Sequence, residues 1–329
     1  MRRRVFLGAL GCGGAAWPLM AEAQQSAQVR RIGVLHDYGV GDPEGQIQIN
    51  ALREELAKLG WVDGRTAVLD VQSGDVDADL VRTYARDLLA KRPDIVLGAG
   101  GTIIAALQRA SRTVPIVFVN VTDPVGGGLV ESLGRPGGNT TGFTQFEFGI
   151  SAKWLELLKA VAPRMTRVAV IRDPAARSGG GQLGAIQAVA PSLKVDVRPV
   201  DAADPDAIVR DLTAFAREPN GGLIVTSSRL ARAHREMIIG LAARHRLPAI
   251  YAFRVYVAAG GLMSFGPDSV SPYRRAAGYV DRILKGEKPA DLPVQVPTKY
   301  ELVINMKVAQ GLDLTVPSSL IAQADDIIE

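Results

Sequence analysis

The residues best able to hold a charged or dipolar solute stand in short groups along the chain: His36-Asp37-Tyr38, Gly100-Gly101-Thr102, Thr122-Asp123, Arg172-Asp173, Ser227-Ser228 and Tyr251. Their types suit holding rather than converting. Gly101 and Thr102 at a helix start present backbone donors and a hydroxyl to a carboxylate, which the positive end of the helix dipole also favours. Asp123 is an acceptor for an ammonium group, whose charge would keep the aspartate ionised. Ser227 and Ser228 add neutral hydrogen bonds, and Tyr251 offers a flat apolar face with a polar tip. Each also has a plainer use: Thr102 as an N-cap, Asp123 as the opener of an Asp-Pro turn, the serines as caps of the next helix, and Tyr251 as core.

Residue sets for bond-making chemistry do not emerge. Cys12 is the only cysteine and falls in the first 23 residues, so the rest carries no thiol nucleophile, disulfide or cysteine metal ligand. His36, His234 and His245 have no metal-motif spacing, and neither a metal nor a cofactor is expected. Gly98-Ala99-Gly100-Gly101 lacks the third glycine of a dinucleotide fingerprint, and no P-loop pattern occurs. In GLMSFG (261–266), Ser264 is one residue away from the nucleophile-elbow position.

What positions the polar groups is the apolar run that precedes or contains each of them. RRIGVLH (30–36), DIVLGAG (94–100), PIVFVNV (115–121), RVAVIRD (167–173), GLIVTSS (222–228) and PAIYAF (248–253) are near-continuously apolar, the pattern of strands covered by helices on both faces. Helical stretches lie between them, at 44–59, 77–90, 151–161, 206–217 and 230–244. In YRRAAGYVDRILKG (273–286), Tyr273, Ala276, Ala277, Val280, Ile283 and Leu284 keep the helical period and Gly286 supplies the stop. This alternation, run through twice, predicts an α/β protein of two doubly wound parallel-sheet lobes. Ligands in such sheets sit beyond the carboxyl ends of the strands, and two facing rows of strand ends make an interlobe cleft. The rule nominates Asp37, Tyr38, Gly101, Thr102, Thr122, Asp123, Asp173, Ser227, Ser228 and Tyr251 as its lining. Where the first alternating set ends, DPVGGGLVESLGRPGGNTTG (123–142) holds seven glycines and two prolines. It reads as a hinge-like crossover between the lobes.

A length of 329 residues agrees with two lobes, since one core usually stops growing at roughly 250–300 residues. The first 23 residues have a basic start, an apolar middle and small residues at Ala21 and Ala23, which predicts an export signal cut after Ala23. Arg3-Arg4-Val5-Phe6-Leu7 resembles the twin-arginine signature. Ala9-Leu10-Gly11-Cys12 is lipobox-like, but the apolar stretch before it is short for lipid attachment. Without Arg2, Arg3, Arg4 and Glu22 the chain keeps 35 basic and 33 acidic residues, a net charge of +2. A nearly neutral body has no electrostatic pull on nucleic acid.

Several stretches resemble one family. LGWVDGRT (59–66), DPVGGGLVESLGRPGGNTTGF (123–143), AAGGLMSFGPD (258–268), the long segment 273–320 and the ending ADDIIE (324–329) closely resemble the ABC-transporter substrate-binding proteins that include tryptophan/tyrosine-type amino-acid binders. Together they cover essentially the whole chain after the leader. The resemblance implies a type I periplasmic-binding fold, two lobes joined by three crossovers. Such a protein closes on a small molecule, an amino acid or a related compound, and delivers it to an ABC permease in the inner membrane. It implies a periplasmic receptor and not an enzyme. A receptor that docks to a permease needs no self-association, so a monomer is expected. Residue by residue, Gly101-Thr102 match the family's glycine-threonine turn, Asp123-Pro124 its Asp-Pro and Tyr251 its strand-end tyrosine. The resemblance places lobe 1 at 24–145 plus about 258–292, with GLMSFG and the Tyr273 helix, and lobe 2 at 146–257 plus about 293–329. For an aromatic ligand only Tyr38, Phe253 and Tyr256 are candidates in the cleft, which favours a smaller or more polar solute. A ligand sensor for a membrane signalling partner is the alternative, and an enzyme on this scaffold would need an acid, base or nucleophile set in the cleft.

Overall fold

The computed structural model describes residues 29–73, 77–174 and 176–329. The expected export signal and Cys12 lie outside the described residues.

The first half runs β1 (Arg30–His36), α1 (Pro43–Lys58), β2 (Ala67–Ser73), α2 (Ala78–Ala90), β3 (Ile95–Ala99), α3 (Gly101–Ala110), β4 (Ile116–Val121) and β5 (Thr140–Thr144). These strands form one parallel sheet in the order β2-β1-β3-β4-β5. Successive side chains leave a strand on opposite faces, so each strand feeds two helical layers. Ile32, Val34, Ile95, Leu97, Val117 and Val119 pack with α1, while Leu35, Val96, Ile116 and Phe118 pack with α2 and α3. That two-sided burial is why the runs are continuously apolar. Asp42 and Asp77 accept from the first-turn N–H groups of α1 and α2, but α3 starts at Gly100 with no side-chain cap.

The second half continues with α4 (Ile150–Val161), β6 (Arg167–Arg172), α5 (Arg177–Val189), β7 (Asp196–Asp201), α6 (Pro205–Phe215), β8 (Gly221–Val225), α7 (Arg229–Ala233), α8 (Arg235–Arg244), β9 (Ala249–Tyr251), α9 (Arg254–Ala258) and β10 (Met263–Pro267). After these come α10 (Ser271–Leu284), β11 (Tyr300–Asn305), α11 (Met306–Gly311), α12 (Ser318–Ile321) and β12 (Asp326–Ile328). The second sheet has the order β12-β11-β10-β9-β8-β6-β7 and is parallel except for the β10–β11 pair. The helix expected at 230–244 is two, because His234 interrupts it between α7 and α8.

Two expectations are corrected. The glycine-rich stretch at 123–142 is not the crossover between lobes: it joins β4 to β5 inside the first sheet, and the chain crosses only afterwards, at 145–149. β5, TTGFT, is too short and polar to read as a buried strand, yet all five residues are buried. It pairs parallel with β4 from Ile116↔Thr140, and Gly142 lies so close that a Cβ there would collide with the Phe118 carbonyl oxygen. GLMSFG does not join the first lobe either. Its strand β10 pairs with β9 through Met263↔Ile250 and with β11 through Met263↔Ile304, so it belongs to the second sheet. The following α10 does return to the first lobe, burying Tyr273, Ala276, Ala277, Val280, Ile283 and Leu284 against α1 and the sheet. The chain therefore passes between lobes at 145–149, near 268–270 and again before β11.

Candidate functional site

The carboxyl ends of both sheets border a cavity of about 520 Å³. Asp37 follows β1, Gly100, Gly101 and Thr102 follow β3, and Thr122 with Asp123 follows β4. From the second lobe come Asp173 after β6, Ser227 and Ser228 after β8, Arg229 and Arg232 on α7, and Phe253 after β9. Of the ten expected residues, Asp37, Gly101, Thr102, Thr122, Asp123, Asp173, Ser227 and Ser228 line this one cavity.

Tyr38 and Tyr251 do not. Tyr38 is buried beside a neighbouring cavity of about 290 Å³, with its ring under the Arg232 guanidinium at 4.0 Å and its hydroxyl accepting from Gln48 Nε2 at 3.3 Å. Tyr251 is 1% exposed and stacks on Tyr256 with centroids 4.7 Å apart. It borders a separate apolar cavity of about 240 Å³ between α8 and α11. Tyr251 still belongs to β9, and its ring leaves the strand toward the helical layer where Gly261 makes room; a Cβ on Gly261 would come within 2.6 Å of the ring. Phe253, two residues further, reaches the interlobe cavity instead.

Several wall residues also serve the local structure. Asp123 Oδ1 accepts from Gly126 N at 2.8 Å, so the Asp-Pro turn is real and borders the cavity at the same time. Ser228 caps α7 by accepting from Ala231 N at 3.1 Å. Ser227 ties the cavity floor to the first crossing segment: its hydroxyl donates to Gln145 Oε1 at 3.0 Å, and its N–H donates to Gln182 Oε1 at 3.1 Å. Behind Gln145, Phe146 packs edge-on against Trp154 and Phe253.

The strongest electrostatic feature joins the lobes. Arg232, only 5% exposed, crosses from α7 to the end of β1 and donates through Nη2 to Asp37 Oδ2 at 2.7 Å and to Asp37 O at 3.0 Å. A second bridge, Arg235 to Asp42 at 3.1 Å, comes from the first residue of α8. Burial alone would raise the Asp37 carboxyl, but the charge and hydrogen bond of Arg232, with Arg229 nearby, hold it below the ordinary carboxylate range. Burial likewise opposes the charge on Arg232, and Asp37 outweighs it, keeping the guanidinium firmly protonated. The other oxygen, Asp37 Oδ1, is buried without a hydrogen-bond partner. It is an unmet acceptor on a residue that borders the cavity.

Sequence reasoning missed Arg232, Gln145 and Asn120. Arg232 reads as one more surface arginine in RLARAHRE, because its burial comes from the other lobe. Asn120 left a signal, a lone amide inside PIVFVNV. It takes a left-handed φ of 58°, and its side-chain Oδ1 is buried without a partner. At this point Val121 turns to the α2/α3 face although Val119 faces α1, and the β4–β5 register shifts.

The wall can recognise both ends of a dipolar solute. The carboxylate of Asp37 lies beside the uncapped start of α3: a Cβ on Gly100 would sit 3.9 Å from Asp37 Oδ2. A carboxylate side chain and free N–H donors with the helix dipole thus stand side by side in this wall. Among the described residues no histidine borders this cavity, and the hydroxyls of Ser227 and Ser228 are engaged with Gln145 and with the start of α7. Among the described residues no group of three or more His, Cys, Asp or Glu could hold a metal ion, and no helix is long and apolar enough to cross a membrane.

Comparison with known proteins gives the same architecture. Residues 40–328 match the family model described as ABC transporter substrate binding protein. The chain is 24% identical over 259 residues to a tyrosine-binding protein of Clostridioides difficile strain R20291, covering 79% of this chain and 74% of that one. A conserved domain protein of Vibrio cholerae superposes with a TM-score of 0.85 at 25% identity, over 91% of this chain and 100% of the other. An ABC domain from Streptococcus pneumoniae in complex with L-Trp superposes with a TM-score of 0.84 at 25% identity, with the same coverage.

Proposed function

The chain belongs to the ABC transporter substrate-binding protein family, and from that premise we propose that it is an extracytoplasmic receptor for an α-amino acid, which it holds unaltered for an ABC importer. The fold is the two-lobed α/β arrangement of type I periplasmic binding proteins. The observation that carries the amino-acid reading is that Asp37, one of whose carboxylate oxygens has no hydrogen-bond partner, and the uncapped N-terminus of α3 border one interlobe cavity. The ammonium goes to Asp37, and the carboxylate goes to the N–H groups of Gly101 and Thr102 with the Thr102 hydroxyl. Ser227, Ser228 and Gln145 complete the floor. The relatives that bind tyrosine and L-Trp support an amino acid as the solute class.

Closure works by population shift. A ligand touching both lobes stabilises the closed arrangement by its differential affinity for it, and release follows when a permease favours the open one. The twin-arginine-like leader and the family together favour export to the periplasm. Among the described residues Phe253 is the one aromatic side chain in the wall of the main cavity, which favours a side chain smaller or more polar than indole. Thermal unfolding with each proteinogenic L-amino acid in turn tests the proposal, because a compound that binds only the native state raises the midpoint. The reading fails if none does so, or if the bound compound is recovered chemically changed.

A further inference from the structure

Arg232 is a buried cation of one lobe lodged in the other. It is 5% exposed, its guanidinium lies 4.0 Å over the Tyr38 ring, and its Nη2 reaches both the carboxylate and the backbone carbonyl of Asp37. A charge is expensive to bury, and the usual compensation is to satisfy the partner completely. Here the partner is half satisfied. Asp37 Oδ2 takes Arg232, while Oδ1 is enclosed with no donor, although the residue borders the cavity. Two contacts from one guanidinium nitrogen, to the carbonyl and to Oδ2, fix the rotation of the carboxylate about the chain. Its free oxygen is thereby fixed as well. Arg232 is also kept from turning toward Oδ1, since its guanidinium carbon sits 4.0 Å over the Tyr38 ring.

We propose that Arg232 is a positioning residue of the amine subsite: reaching across from the second lobe, it holds Asp37 so that Oδ1 is reserved for the primary ammonium of the solute. Recognition of the amine is then coupled to closure, because Arg232 stands in place only when the lobes are together. This rests on the amino-acid reading above and adds that selectivity for the amine depends on a residue of the opposite lobe. A solute lacking the amine leaves Oδ1 unmet and gains nothing from Arg232.

The test uses the full chain and titration calorimetry. The probes are the L-amino acid that most stabilises the wild type and its 2-deamino carboxylic acid. Arg232→Met removes the charge at similar length and Arg232→Lys keeps it, with unfolding midpoints of the empty variants as the folding control. Arg232→Met is expected to weaken the amino acid by about 30-fold or more, the scale for truncating one partner of a buried charge pair. The closing penalty of the broken pair falls on both probes, so the deaminated acid should lose at least about tenfold less than the amino acid, and Arg232→Lys should fall between. Equal losses for both probes would make Arg232 a structural residue and overturn the proposal, as would an unchanged preference for the amine. If Arg232→Met does not fold, the Arg232→Lys ratio decides alone: a ratio equal to the wild type's refutes the role. If no amino acid binds the wild type, the amino-acid reading itself has failed. If one binds and only the ratio is wrong, that reading stands and this one falls.

Discussion

Replacing Asp37 by asparagine removes one charge from a pair shared between the lobes. In the closed arrangement the variant leaves a guanidinium that is 5% exposed beside a neutral amide, where an ion pair at 2.7 Å stood before. Breaking a buried pair in this way costs about 3–5 kcal/mol. A pair inside one core would transmit that cost to global stability. This pair has a way out, because Arg232 sits on α7 of the second lobe and Asp37 at the end of β1 in the first. Opening hydrates the arginine without unfolding either core, so the penalty falls on closure. About 3 kcal/mol corresponds to a factor of about 150 in the closing equilibrium, and apparent affinity drops in proportion to the lost closed fraction. The expected result for Asp37→Asn is a larger radius of gyration in small-angle scattering of the empty protein. Binding of the best amino acid by calorimetry should be at least about 100-fold weaker, because the closing penalty adds to the lost charge of the ammonium acceptor, with an unfolding midpoint within a few degrees of the wild type. An unchanged radius of gyration together with a midpoint lowered by about 10 °C would refute the reasoning, since the pair would then belong to a single cooperative core.

Tyr251→Ala should act in the opposite sense: removing a ring that is 1% exposed and stacked on Tyr256 is expected to cost about 3–5 kcal/mol in a denaturant titration, while calorimetry shows affinity unchanged within a few-fold. Gly142→Ala should unpair β5 from β4, because the added methyl meets a backbone carbonyl that cannot rotate away; loss of soluble protein or of at least about 2 kcal/mol is expected, and a midpoint equal to the wild type's would contradict the tight approach. His36 is buried between Asp37, Asp42 and Arg232, and burial holds its imidazole below the ordinary 6.5. The unfolded chain therefore binds the proton first, and stability present above about pH 6.5 falls as pH drops through the lowered folded value. Denaturation midpoints measured on either side of that window should show the slope, and His36→Gln should flatten it. Sedimentation of the empty protein should give a monomer, and a stable dimer would speak against a receptor that docks alone to a permease.

What the sequence determined by itself is whatever depends on local pattern. Continuous apolar runs mark β1, β3, β4, β6, β8 and β9, since a strand covered on both faces has no polar side to show. The residues at the ends of such strands converge in a parallel sheet, which is why Asp37, Thr102, Asp123, Asp173 and Ser227 could be named together and do line one cavity. The helical period of α10 identified its buried face for the same local reason. Tertiary structure alone decided the rest. β5 is polar and short, and it is a strand only because β4 accepts its backbone beside Gly142. Nothing in GLMSFG states which sheet it joins, since both have apolar neighbours to offer, and only the register against β9 and β11 settles it. Tyr251 stands one pleat away from the cavity that its position in the chain suggested. Arg232 looks like a solvated helix residue until the opposite lobe covers it: a side chain's burial and its partner are set by what the fold brings against it, and no stretch of its own sequence carries that information.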